Sequence, residues 1–518
     1  MNKIKILWID DEIDLLKVQI LFLEAKGYQV DTANNGEDAL ELLQEQKFNI
    51  IFLDEHMPGL TGLELLPKIK TITPTTPVVM VTKSEAEDIM DEAIGSKISD
   101  YLIKPVNPNQ ILLSIKKNVD EKRLVTETTT SKYQAEFRKL AMQINDCQTF
   151  EEWSEIYKKL VYWELELERT SEQTMDEILS MQKDEANLGF SKFVKSNYKS
   201  WMEEDSENHP FMVHEVFKKR IFPLLDNNEN VFLIVIDNFR FDQWKVLQPL
   251  ISDYFSLENE EIISTLLPTS TQYARNAMFA GLTPLQISEM FPHLWSDEKE
   301  EGGKNEFEKD LVETLLKRYR KDIPFSFNKV FNDSHGKKVI SNLKTNLRKQ
   351  LNIVVYNFVD MLSHARTDMQ MIRELAKDDA AYRSLTKTWF EHSSLLELMR
   401  ELRNKDVKIV ITTDHGTIKV HNPIKVIGEK DTTTNLRYKQ GKSLDYKKNE
   451  VFAVTKPEEI GLPKSNMSST FIFSMNRDFF VYPNNYNHYM KYYRDTFQHG
   501  GISMEEMLIP LLTFKPKN

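Results

Sequence analysis

Lys408-Ile409-Val410-Ile411-Thr412-Thr413-Asp414-His415-Gly416 is an apolar, β-branched run that stops on a carboxylate, an imidazole and a glycine. A run of this length closed by Gly416 has the pattern of a buried strand in an α/β sheet. Such sheets bind ligands just beyond the carboxyl ends of their strands, so Asp414 and His415 are expected at a sheet's mouth. One Asp-His pair alone is weak evidence, because a carboxylate often does no more than orient a histidine. Two other apolar runs end the same way. Val231–Ile236 leads into Asp237 and Asn238, and Ile353–Val359 leads into Asp360, with His364 four residues later, the separation that sets two ligands on one helix face.

Two further stretches supply the remaining chemistry. Thr269-Ser270-Thr271 opens a helical pattern, which puts a hydroxyl near Thr271 at a helix N-terminus, where phosphate is stabilised. Arg275, one turn on, is read either as a partner for a substrate phosphate or as an ordinary salt bridge. Phe497-Gln498-His499-Gly500-Gly501 adds a third histidine ahead of a last strand pattern. Asp237, Asp360, Asp414, His364, His415, His499 and a threonine can fill two near-tetrahedral sites, and Zn²⁺ suits mixed imidazole and carboxylate ligands. Two such ions, about 3.5–4 Å apart, activate an oxygen nucleophile and stabilise charge at an attacked phosphorus. The expected chemistry is phosphoryl transfer.

The totals bound this reading. A chain of 518 residues exceeds one ordinary core, and 41% hydrophobic with 28% charged residues fits a soluble globular protein. A single cysteine, Cys147, rules out an internal disulfide and makes His, Asp and Glu the available metal ligands. No signal segment opens the chain and no apolar run reaches membrane-spanning length, so a cytoplasmic location without membrane insertion is expected. The net charge of −12 opposes non-specific polyanion binding, and no helix-turn-helix pattern is present, which disfavours a DNA-binding regulator.

The first 120 residues alternate strand and helix patterns. Ile9 leads into Asp10-Asp11, Leu53 into Asp54, Val81 into Thr82, and Tyr101-Leu102-Ile103 into Lys104-Pro105. Three carboxylates gathered at a strand edge call for a lysine or a hard divalent cation with oxygen ligands, Mg²⁺ by preference. The set Asp-Asp, Asp-x-x-Met-Pro-Gly, Thr, Lys-Pro resembles the receiver domain of two-component response regulators. The resemblance implies a flavodoxin-like fold, Asp54 as phosphoacceptor, and Mg²⁺ held by Asp10, Asp11, Asp54 and the backbone carbonyl of His56. Thr82 and Lys104 would contact the phosphoryl group, and Tyr101 would report the switch.

Residues 121–205 turn to Glu, Lys, Gln and aromatics, with Thr126–Thr130 read as a joint. Tyr133, Phe137, Leu140 and Ile144 recur at helical spacing, Thr149–Glu152 forms a capping-box pattern, and a third helical pattern follows from about Ser171. A helical-bundle linker is expected, carrying the receiver's state onward.

From about 206 to 518 the order of the ligands resembles the PglZ branch of the alkaline phosphatase superfamily. By position, the resemblance implies one metal site of Asp237, Thr271, Asp414 and His415 and another of Asp360, His364 and His499, with Thr271 as nucleophile and Gly281 and Pro284 following at the family's spacing. The whole α/β multidomain arrangement resembles the PorX response regulators associated with type IX secretion. That implies a sensor histidine kinase as phosphodonor, a phosphorylation-favoured homodimer, and zinc-dependent phosphodiesterase action on cyclic or linear oligonucleotides. The alternative is a docking regulator that uses metal structurally and binds a transcription factor, such as a sigma factor, or a secretion component. Structural zinc sites close four positions with protein ligands, whereas Asp360, His364 and His499 supply three, which favours catalysis.

Overall fold

The computed structural model describes residues 4–83, 98–169, 173–203, 209–297, 303–429, 432–464 and 468–517. The chain forms two compact units, residues 1–134 with 169–172 and residues 135–168 with 173–518.

In the first unit β1 (Lys5–Ile9), β2 (Gln29–Ala33), β3 (Ile50–Asp54), β4 (Val78–Thr82) and β5 (Asp100–Ile103) form a parallel sheet in the order β2-β1-β3-β4-β5. This is the flavodoxin-like order, whose ligand edge lies at the carboxyl ends of β1 and β3. The central strands are buried on both faces, as their continuous apolar runs require. Helix Gly62–Ile72 starts on a capping box between Thr61 and Glu64. Its first residue sits so close to β3 that a Cβ on Gly62 would lie 2.2 Å from the Asp54 carbonyl oxygen, so only glycine lets the helix start there.

Helix Glu121–Asp146 runs unbroken through Thr126–Thr130, so the expected joint is helical. Threonine costs only a few tenths of a kcal/mol per helical position, and no Gly or Pro interrupts the run. Helices Phe150–Glu168 and Gln173–Trp201 follow, the former opened by reciprocal bonds between Thr149 and Glu152. Both belong to the second unit, together with the last part of the chain. Trp153 packs edge-on against Phe190 at 5.8 Å over the space that Gly189 leaves.

The main sheet of the second unit holds β6 (Val231–Ile236), β7 (Phe255–Ser264), β8 (Phe325–Val330), β9 (Leu351–Tyr356) and β10 (Lys408–Thr412). After the small strands β11 (Ile418–Lys419), β12 (Asn422–Lys425), β13 (Tyr438–Gly441), β14 (Val451–Val454), β15 (Thr470–Ser474), β16 (Asp478–Val481) and β17 (Phe497–Gln498), β18 (Leu508–Pro516) completes it. The order is β7-β18-β10-β6-β9-β8. Strands β10, β6, β9 and β8 are parallel, while β18 runs antiparallel to both β10 and β7. The carboxyl ends of β6, β7, β9 and β10 and the amino end of β18 therefore share one edge, and every expected ligand sits in a segment meeting that edge. The strand expected to extend to Val359 stops at Tyr356. Asn357 turns the chain into helix Phe358–Asp368, so Asp360 lies in a first helical turn rather than at a strand end.

Candidate active site

At the shared edge the ligands fall into two clusters, Asp237 with Asp414 and His415, and Asp360 with His364 and His499; within each, one ligand atom per residue lies within 4.8 Å of the others. The clusters adjoin: the His415 and His499 rings stack at 4.3 Å. Asn238 explains how one strand end serves both. Its left-handed backbone (φ 61°) turns its amide towards Asp360 Oδ1 (3.4 Å) and Ser363 (3.1 Å), while its neighbour Asp237 joins the other cluster. Asparagine tolerates this conformation better than most side chains.

Thr271 is the first residue of helix Thr271–Ala280, which ends on Gly281 in a left-handed conformation. Its Oγ1 lies 3.4 Å from Asp237 Oδ1 and 3.2 Å from His415 Nε2. Its neighbours do other things. The Thr269 hydroxyl donates to the Gly501 carbonyl at 3.1 Å, and Ser270 occupies the N-cap without capping the helix through its side chain.

Arg275 is read differently in place. Its side chain is only 3% exposed, with Nη1 2.6 Å from Asp237 and Nε 2.7 Å from Glu308. Engaged by two carboxylates, it orients the Asp237 ligand instead of reaching a substrate phosphate, and the pairing is through space rather than along its own helix. Asn357 Nδ2 holds the same Asp237 carboxylate at 2.8 Å. Neither Asn357 nor Glu308 stands out in the sequence. Asn357 reads as part of a strand, and Glu308 as one acid in a charged helix.

The donor set fits divalent metal. Nδ1 of His415 lies 3.1 Å from the Gly416 carbonyl and Nδ1 of His499 3.0 Å from the Thr269 carbonyl. A carbonyl only accepts, so each Nδ1 carries the proton and each Nε2 keeps its lone pair for a ligand. Among the described residues, Asp414 Oδ2 is buried without a hydrogen-bond partner. Burial, with the Asp414 charge adding to it, pushes Asp237 up to about 6 against the pull of Arg275; burial likewise raises Asp360 and holds His499 well below the usual histidine range. Carboxylates that resist charging and imidazoles that resist protonation are what a cation relieves. The His364 side chain is 64% exposed, so the second cluster faces solvent. Asn305 donates to the Thr271 carbonyl at 3.1 Å, which brings its segment beside the site; residues 298–302 lie outside the described residues.

In the first unit Asp10, Asp11 and Asp54 form a third cluster, with Lys104 Nζ 2.8 Å from Asp10 and 3.1 Å from Asp54. Burial raises the Asp54 carboxyl despite the Lys104 bond, and the two carboxylates hold Lys104 above its ordinary value although burial opposes its charge. Three carboxylates against one ammonium leave room for a hard divalent cation. Tyr101 is 41% exposed, and the His56 side chain points outward. The Thr82 hydroxyl is donated to Glu55, a buried residue that the sequence pattern does not single out.

Residues 216–514 match the family described as the BREX system PglZ alkaline phosphatase-like domain. The chain belongs to that PglZ family. Residues 6–116 match the response regulator receiver domain and residues 123–202 the PorX response regulator linker domain, so the chain is a PorX-type response regulator with a PglZ output domain. Similar proteins include the transcriptional regulatory protein ZraR of Klebsiella oxytoca (35% identity, 26% of this chain, 31% of that protein) and ResD of Bacillus subtilis (32% identity, 22% and 48%). The chain thus spans less than half the length of either relative. Similar solved structures include the chemotaxis protein CheY4 of Vibrio cholerae (28% identity, TM-score 0.22, 23% of this chain and 99% of that one). No helix among the described residues is long and apolar enough to cross a membrane.

Proposed function

We propose that this PglZ response regulator is a zinc-dependent phosphodiesterase whose output is controlled by phosphorylation of Asp54. The observation that carries the reading is the Thr271 hydroxyl, set at a helix N-terminus between Asp237 and His415. Asp237, Asp414 and His415 with Thr271 would hold one Zn²⁺, and Asp360, His364 and His499 the other. Bound there, such ions would supply Lewis acidity that favours loss of the Thr271 hydroxyl proton to solvent and would screen the phosphate charge. Thr271 Oγ1 attacks phosphorus, the alcohol leaves, and a phosphorylated or nucleotidylated threonine forms; water then hydrolyses that bond and restores the hydroxyl. First-turn N–H groups of helix Thr271–Ala280 face the accumulating negative charge. Arg275, Asn357 and Asn238 keep the carboxylate ligands aimed.

In the receiver, Asp10, Asp11 and Asp54 with the His56 carbonyl would hold Mg²⁺, and Lys104, Thr82 and Tyr101 would respond to a phosphoryl group on Asp54. The substrates we propose are cyclic or linear oligonucleotides, in a cytoplasmic regulator of type IX secretion that dimerises when phosphorylated. The test is to strip the protein of metal, reload it with zinc, and assay monoesters, dinucleotides and short oligonucleotides with and without acetyl phosphate. Zinc-restored hydrolysis of diesters, changed by acetyl phosphate in the unaltered chain but not in Asp54→Ala, is expected. Binding of two metals with no cleavage of any ester would favour a metal-stabilised docking regulator for a sigma factor or secretion component.

A further inference from the structure

Residue 55 follows the expected phosphoacceptor, and it is a glutamate buried to 5% exposure. Asp54 pairs with Val81 across β3 and β4, so the next residues, Glu55 and Thr82, lie side by side at the strand ends, and the Glu55 amide donates to the Val81 carbonyl at 2.9 Å. The Thr82 hydroxyl is donated to Glu55 Oε2. Among the described residues, the Glu55 carboxylate is otherwise approached only by His56 Nδ1 at 3.5 Å, and that imidazole is largely exposed.

A hydroxyl has a single proton to give. Thr82 can bond the Glu55 carboxylate or an oxygen of a phosphoryl group on Asp54, but not both. We infer that Glu55 is a positioning residue that sets the threshold of the receiver's switch, holding the Thr82 hydroxyl off the phosphorylation site until a phosphoryl group outcompetes it. The inference rests on the reading of Asp54 as phosphoacceptor. A bond to a buried carboxylate is stronger than one between neutral groups, and breaking it leaves that carboxylate short of a partner. Glu55 therefore favours the resting arrangement, and its removal favours the phosphorylated one.

The test uses the full chain with Mg²⁺ and beryllofluoride as the phosphoryl mimic. Its affinity is measured in the unaltered protein, Glu55→Leu, Glu55→Gln, Thr82→Ala and the Glu55→Leu/Thr82→Ala double variant. The lifetime of phospho-Asp54 after acetyl phosphate is followed on phosphate-affinity gels. Glu55→Leu is expected to bind the mimic on the order of tenfold more tightly, and Glu55→Gln, whose amide oxygen still accepts, less so. The gain should vanish when Thr82 is alanine, because the latch acts only through that hydroxyl. Unchanged or weaker binding in Glu55→Leu overturns the inference. So does a gain that survives Thr82→Ala, which would mean that Glu55 acts merely by charge repulsion. Should the leucine variant melt early, Glu55→Gln in both Thr82 backgrounds carries the same comparison. Beryllofluoride binding that persists undiminished in Asp54→Ala would instead overturn the phosphoacceptor reading, and the inference with it.

Discussion

At the scale of single residues, Arg275 separates two accounts of the site. Its guanidinium joins Asp237 to Glu308 in a fully buried triad. Arg275→Ala would leave the Asp237 carboxylate buried without its cation, while Glu308 keeps Lys329 at 2.8 Å, and breaking a buried pair in this way typically costs about 3–5 kcal/mol. We expect a clearly lowered melting temperature and weaker zinc binding. An arginine that instead met the substrate would raise KM while leaving stability and metal content unchanged, so calorimetry beside zinc quantification decides. The members of the two clusters are legible in the sequence, because each candidate ligand announces itself by type at a segment boundary. Thr271 is less so, since Thr269, Ser270 and Thr271 are alike until the fold gives Thr269 to the Gly501 carbonyl and turns Thr271 to Asp237. Arg275, Asn357 and Glu308 act on ligands through space, and partners distant in sequence leave no local pattern to read.

Among elements, β13 carries an unusual lysine. Lys439 is 1% exposed, its ammonium donating to the Thr433 carbonyl at 2.9 Å and lying 4.6 Å from the Tyr482 ring centre. Burial pulls it down to about 7 from its ordinary 10.5. The folded state thus sheds a proton that the unfolded chain keeps between pH 7 and 10.5, so this group's contribution is least favourable near neutrality and improves as pH rises. The slope is about 1.4 kcal/mol per pH unit while the two states differ by one proton. Lys439→Met should raise the melting temperature at pH 7, with the gain shrinking by pH 9.5; a gain that stays constant across that range contradicts the burial account. Charge pattern alone does not mark this lysine, because burial is not encoded in it. Element boundaries show the same limit. Apolar Val359 extends the β9 pattern past its true end at Tyr356, and the threonines at 126–130 read as a joint although the helix continues through them. Capping chemistry, by contrast, is local, and Thr149 with Glu152 starts its helix where the pattern puts it.

On the scale of the whole molecule, a buried charge network ties helices 150–168 and 173–201 to the loops that carry the candidate ligands. Arg383 meets Glu164 (2.9 Å), Glu168 (2.7 Å) and Asp242 (2.9 Å), while Arg240, three residues beyond Asp237, pairs with Asp242 and Asp379. Lys183 bonds Glu164 at 2.8 Å, and Asn187 bonds Glu505 at 2.9 Å in the segment after His499. Composition marks these helices as a separate linker, and their family match is separate too, yet they form one compact unit with the PglZ domain because their charges are satisfied there. Arg383→Met should therefore lower the melting of the linker helices and the PglZ domain together, on the order of 3–5 kcal/mol; a separate early transition for the linker alone would contradict that. In the proposed reaction all of this scaffolding aims one hydroxyl, that of Thr271, at phosphorus. The most direct measurement is acid-quenched turnover of a diester by the zinc-loaded chain, with the attached group mapped by mass spectrometry beside steady-state rates for Thr271→Ala. A phosphorylated or nucleotidylated Thr271, with Thr269 and Ser270 unmodified, and loss of turnover in the variant are expected; zinc-dependent turnover that persists without the Thr271 hydroxyl would rule this threonine out as the nucleophile.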